Sequence, residues 1–81
     1  MNVRVKLFAL TQDLAGTDEV SLELPADATV ADVRSGLATL VPALEAILVG
    51  CAFAVNNEYA TNDAPVNASD EIACLPPVSG G

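Results

Sequence analysis

At 81 residues, with 52% hydrophobic content, no histidine and a formal charge of -8, the sequence describes one small acidic domain. A chain this short buries only about 60% of the surface it exposes when unfolded, which leaves one core and no spacious interior cavity. Arg4, Lys6 and Arg34 are the only cations, so there is no basic patch to neutralise phosphates; nucleic acid and anionic membrane are poor candidates as partners, and a partner with a basic face is favoured.

Along the chain, Val3, Val5, Leu7 and Ala9 alternate with Arg4, Lys6 and Phe8, the period-two pattern of a half-buried strand. Arg4 and Lys6 precede only the short apolar run Leu7 to Leu10, which is too short for a signal-peptide core. Thr11 to Asp18, with Gly16, reads as a connection holding at most one helical turn. Val20, Leu22 and Leu24 alternate with Ser21 and Glu23, giving a second strand that stops at Pro25. These two strands are expected to pair as an antiparallel hairpin with a long loop.

Thr29 is placed as a helix N-cap, with Asp32 at the capping-box spacing. Val30, Val33, Leu37, Leu40 and Val41 follow at helical spacing, so one face of the helix is expected to pack on the sheet. Pro42 ends this helix and can begin a further short turn up to Leu48. Cys51 to Val55 is an almost wholly apolar run, read as a central strand. Asn56-Asn57-Glu58 is turn-like, Tyr59 to Thr61 a brief strand, Asn62 to Pro65 another turn, and Glu71 to Leu75 a last strand. The longest uncharged stretch, Ala46 to Asn57, is far shorter than the ~20 residues that cross a bilayer.

The order strand, strand, helix, strand, short strand, strand fits an α+β fold in which a mixed sheet wraps one main helix, the β-grasp roll. A ferredoxin-like fold would need a second substantial helix, and Asn56 to Glu71 offers none. The domain is therefore placed at residues 1–75 and an extended tail at 76–81.

The sequence offers no side-chain chemistry. It contains no nucleophile–base pair, no metal-ligand cluster and no Gly-rich phosphate loop. Asp18-Glu19 and Asp70-Glu71 are adjacent carboxylates whose side chains point different ways, so they read as solvated charges and not as an acid/base pair. Cys51 and Cys74 fit no CxxC spacing and read as buried packing thiols in a reducing cytoplasm. No autonomous enzyme activity, bound cofactor or metal is expected.

The tail differs in kind. Pro76 and Pro77 fix φ and remove two backbone donors, so strand pairing must stop and the chain must leave the sheet extended. Extended, Pro76 to Gly81 reaches ~20 Å at about 3.3 Å per residue. Val78 and Ser79 lead to Gly80-Gly81, a tip without side-chain bulk that can thread a narrow channel and present the Gly81 carboxylate to another protein's active site. With a pKa near ~3.5, that carboxylate is ionised and a poor electrophile until activated.

The ending Ser69-Asp70-Glu71-Ile72-Ala73-Cys74-Leu75-Pro76-Pro77-Val78-Ser79-Gly80-Gly81 resembles that of the small subunit of molybdopterin synthase. Phe8-Ala9, Asp13-Leu14-Ala15-Gly16 and Phe53-Ala54-Val55-Asn56-Asn57-Glu58 extend the resemblance over essentially the whole chain. Ser69 departs from the family's usual glycine, and Cys74-Leu75 from a commonly aromatic pair. The resemblance implies a ubiquitin-like β-grasp fold and a C-terminal thiocarboxylate at Gly81, with Gly80 as its flexible neighbour. It also implies two partners: an adenylating enzyme of the ubiquitin-activating type, which uses ATP, and the large synthase subunit, which receives the tail and builds the dithiolene from a pyranopterin precursor.

Strand parity adds a docking expectation of its own. If Val3, Val5 and Leu7 face the helix, Phe8 and Leu10 face outward; if Ile72 and Cys74 face inward, Ala73 and Leu75 face outward. Phe8 and Leu75 should then form one exposed apolar patch at the tail root, continued by Pro76, Pro77, Val78 and Ser79. Two other readings share the Gly-Gly end: a sulfur carrier for thiamine synthesis or tRNA thiolation, and a protein modifier conjugated to lysines. Lys6 is the only lysine from which a polymer of such a modifier could grow.

Overall fold

The computed structural model describes residues 1–77; the tail positions Val78, Ser79, Gly80 and Gly81 lie outside the described residues. Five strands form one sheet in the order β2-β1-β5-β3-β4. β1 (Asn2–Leu7) and β2 (Glu19–Glu23) pair antiparallel, as their alternation requires. β5 (Ile72–Leu75) runs parallel to β1 and antiparallel to β3 (Ala52–Val55), and β4 (Glu58–Ala60) closes the far edge. The parallel β1–β5 pair at the centre of this mixed sheet, crossed by one main helix, is the β-grasp roll.

That helix is α2 (Val30–Leu40). The Thr29 side chain accepts from the backbone of its first turn, and the Asp32 carboxylate takes the Thr29 N–H at 2.8 Å, so two orphan donors are satisfied as the sequence requires. Val30, Val33 and Leu37 are fully buried against Val3, Val5, Leu7, Phe53, Ile72 and Cys74 from the sheet. At about 1.5–3 kcal/mol per large apolar side chain buried, this one interface carries most of the stabilisation available to so small a domain. Pro42 then opens a 3-10 turn (Pro42–Leu44) that leads into α3 (Glu45–Leu48); Leu44 of the turn and Leu48 of α3 close the core.

Three sequence expectations are corrected. The connection after β1 holds more than one turn: α1 runs Leu10–Ala15 and ends at Gly16 in the left-handed region, φ 74°. It forms because the Phe8 N–H donates to Thr11 Oγ1 at 3.0 Å while that hydroxyl donates to the Phe8 carbonyl at 2.6 Å. Ala9 leaves the strand, taking φ 51°, a conformation unusual for a residue with a Cβ. β3 is an interior strand, as its apolar run requires, held between β5 and β4. Leu40, spaced as a core residue, is 52% exposed because the last turn of α2 overhangs the β2 edge.

Candidate functional site: an apolar face at the tail root

Burial along β5 alternates: Ile72 and Cys74 face α2, while Ala73 and Leu75 face away. The parallel register places Leu7 beside Cys74, so the next residue of each chain, Phe8 and Leu75, adjoin on the outer face. Phe8 is half-exposed and Leu10 follows it outward, because the positive φ of Ala9 turns the chain from strand into helix at this point. On the other side of β5, Ala52 pairs with Leu75 and Tyr59 with Ala54.

The outcome is one apolar depression of about 680 Å³, to which Phe8, Leu10, Ala52, Tyr59, Leu75 and Pro77 contribute. Four of the candidates from sequence, Phe8, Leu75, Pro76 and Pro77, thus lie together, whereas Val78, Ser79, Gly80 and Gly81 fall outside the described residues. Gly50, Ala52 and Tyr59 complete the face and were not found by sequence reasoning. Tyr59, 80% exposed in the edge strand β4, becomes visible as a neighbour only once the β3–β4 register is known.

The root of the tail is seated from below. The Cβ that Gly50 lacks would lie 3.5 Å from Pro77 Cγ and 3.6 Å from its Cβ, so the ring rests on bare backbone after α3. That backbone is held in turn by Arg34 from α2, which donates from Nη1 to the Leu48 carbonyl and to the Cys51 carbonyl at 2.9 Å. Its Nη2 reaches Asn62 Oδ1 at 2.9 Å, and its guanidinium lies 4.8 Å from the Phe53 ring centroid.

The remaining polar groups are structural. Asp70 accepts from the Asn67 N–H at 2.8 Å and from Asn56 Nδ2 at 3.1 Å, so it pins the turn before β5 and is more than a solvated charge. Cys51 and Cys74 are free and buried. Burial, together with the neighbouring Cys51, pushes the Cys74 thiol up to about 12. The Cys51 thiol is raised by burial and donates to the Ile47 carbonyl at 3.3 Å. Neither is a nucleophile near neutral pH. Among the described residues, no three His, Cys, Asp or Glu side chains gather as metal ligands, and no helix is long and apolar enough to cross a membrane.

Residues 5–81 match the ThiS family. The chain belongs to that family. A molybdopterin synthase sulfur carrier subunit from Arabidopsis thaliana is 35% identical over 81 residues, covering 100% of this chain and 84% of the relative. Among solved structures, the small archaeal modifier protein 1 of Haloferax volcanii superposes with a TM-score of 0.88 at 34% identity, covering 100% of both chains. A complex of subunits 1 and 2 of molybdopterin-converting factor from Helicobacter pylori 26695 matches with a TM-score of 0.68 and 26% identity, again over 100% of each chain. These neighbours make the fold of this ThiS-family chain the ubiquitin-like β-grasp.

Proposed function

We propose that this chain is the sulfur carrier subunit of a molybdopterin synthase, working through its C-terminal carboxylate. The observation that carries the reading is the apolar face at the tail root: Phe8, Leu75, Pro76 and Pro77 surround the point where the chain departs toward Gly80-Gly81. A face of this kind suits a partner that must hold the domain while the tail enters its active site. The relative from Arabidopsis thaliana and the Helicobacter pylori complex support the same assignment.

In the proposed cycle an adenylating enzyme joins the Gly81 carboxylate to AMP from ATP, releasing pyrophosphate. A sulfide equivalent then displaces AMP and leaves a thiocarboxylate. The large subunit accepts the tail, and there the sulfur forms a C–S bond to a carbon of the pyranopterin precursor as an oxygen leaves that carbon as water or phosphate; water then cleaves the resulting thioester, which restores the Gly81 carboxylate and leaves the sulfur on the product. The catalytic side chains belong to the partner, in keeping with a carrier that has no histidine and whose cysteines are both buried. Gly80 and Gly81 add no bulk that would obstruct these steps.

The test is the intact mass of the untagged protein after incubation with ATP, a sulfur source and extract of its host cell. Exchange of one oxygen for one sulfur, mapped to Gly81 and lost on its deletion, is the expected result. An unchanged mass in an extract that sulfurates a known carrier overturns the reading.

The likeness to a small archaeal modifier protein supports a second reading, conjugation to other proteins through the same carboxylate. Lys6 is exposed on β1 and is the only lysine that could extend a chain. High-mass adducts that survive denaturation and thiols, and that vanish on deletion of Gly81, would establish it.

A further inference from the structure

At the end of the sheet opposite the tail root, a second groove lies between β2 and α2. β2 is an edge strand. Leu24 donates its N–H to Met1 at 2.9 Å, and Leu7 donates to the Asp18 carbonyl at 2.8 Å. By antiparallel parity, Asp18, Val20, Leu22 and Leu24 turn their main-chain groups toward β1, while Glu19, Ser21 and Glu23 turn theirs outward. The Thr17 hydroxyl lies 3.2 Å from the Glu19 carbonyl and 3.5 Å from its N–H. Ser21 and Glu23 therefore present two N–H and two C=O groups to the open edge.

Beside this edge the helix surface is low, with Gly36 and Leu40 among the polar Asp32, Ser35 and Thr39, and Leu22 and Leu24 supply most of the apolar floor. Gly36 faces Leu22 and Leu24 so closely that a Cβ there would come within 3.3 Å of Leu22 Cδ1. The overhanging, half-exposed Leu40 forms the far lip, and Leu24 is only partly buried. An added strand would place alternate side chains in this trough and the others beside Glu19 and Glu23 on the outer face.

Charge selects the occupant. A second copy pairing antiparallel about Ser21 would set Glu19 of one chain against Glu23 of the other, between two molecules each carrying -8; like charges directly opposed across strands repel. β2 itself contains no Lys or Arg, and no proline before Pro25 blocks its edge. We infer that the β2 edge and the β2–α2 groove form a second docking surface for an extended peptide segment of a partner protein, with apolar residues alternating with Lys or Arg. It shares no lining residue with the face at the tail root, so one partner can hold this edge while another receives the tail.

The probe is a capped synthetic peptide of alternating valine and lysine, titrated into the full-length 15N-labelled chain. Amide shifts should cluster at residues 19–25 and along α2 from Asp32 to Leu40. The same peptide N-methylated at alternate positions keeps its charge and side chains but cannot pair with a strand, and should bind at least about tenfold more weakly. Leu40→Ser, at an exposed position, should weaken binding several-fold, and a valine–glutamate peptide should not bind. Four results would each overturn the inference: equal affinity of the N-methylated peptide, binding of the glutamate peptide, shifts centred on Phe8 and Leu75, or no saturable binding up to roughly millimolar peptide.

Discussion

The ring of Pro77 rests over Gly50, with only 3.5 Å between Pro77 Cγ and the place where a Cβ on Gly50 would stand. A methyl group fits there in ordinary contact; a branched side chain would have to enter the space the ring occupies. Gly50→Ala should therefore behave as the parent, whereas Gly50→Val should tilt the tail root away from α3. Gly50 is exposed and outside the core, so the cost in folding should stay within about 1 kcal/mol. Thermal unfolding beside a sulfur-transfer assay checks this: Gly50→Val should lower the melting temperature by no more than about 4–8 °C and lose transfer several-fold.

Arg34 joins three elements with one side chain. Its guanidinium fork satisfies the carbonyls of Leu48 and Cys51, reaches Asn62 and covers Phe53. Arg34→Met keeps the aliphatic stem but takes the Arg34 partner from the Cys51 carbonyl, while the Leu48 carbonyl keeps the Cys51 N–H at 3.1 Å; a buried group left unpaired costs about 1–3 kcal/mol. Arg34→Lys should recover little, because one ammonium cannot serve the two carbonyls and Asn62 Oδ1 at once, as the two terminal nitrogens of the planar guanidinium do. Urea denaturation should show both variants destabilised by about 1–3 kcal/mol, with Lys closer to Met than to the parent.

The Cys74 thiol, pushed from 9.0 to about 12 by burial and by Cys51 beside it, links stability to alkaline pH. Below pH 9 the thiol is protonated whether the chain is folded or not, and its contribution is fully present. Between pH 9 and about 12 the unfolded chain loses the proton and the folded chain keeps it, so stability falls as pH rises. Urea unfolding at pH 8 and pH 10 should show this loss in the parent and a smaller one in Cys74→Ala, after allowance for that variant's lower starting stability. The native protein should also resist alkylation at pH 8, and denaturant should release both thiols.

Wherever a local rule decides structure, the sequence was a sufficient guide. The alternation from Val3 to Leu7, the capping box of Thr29 and Asp32, and the stop at Pro42 all stand as read. Short α1 gave little warning, since only Thr11 among its residues is buried and its nucleus is a hydroxyl bonded to Phe8 in both directions. Leu40 was misread because helical spacing identifies a stripe but not where the sheet beneath it ends. At the site, parity alone joined Phe8 to Leu75 across neighbouring strands. Gly50 and Tyr59 arrive through the α3–β3 connection and the β3–β4 register, which are long-range facts that no single segment encodes.

The test that bears most directly on the tail root is Phe8→Ala. Phe8 is 43% exposed, and its ring lines the face shared with Leu75 and Pro77. Truncation removes a ring from a surface and not from the core. Folding stability should fall by no more than about 1 kcal/mol, against the 3–5 kcal/mol typical of a buried Phe→Ala change. Partner binding should respond far more, because an aromatic side chain at the centre of an interface commonly carries 2 kcal/mol or more, roughly thirtyfold in affinity. Tyr59→Ala, at the exposed margin of the same face, should cost much less. Calorimetric titration of each variant with the large synthase subunit separates the cases: unchanged affinity of Phe8→Ala would remove the apolar face from the docking surface and leave the tail alone to hold the partner.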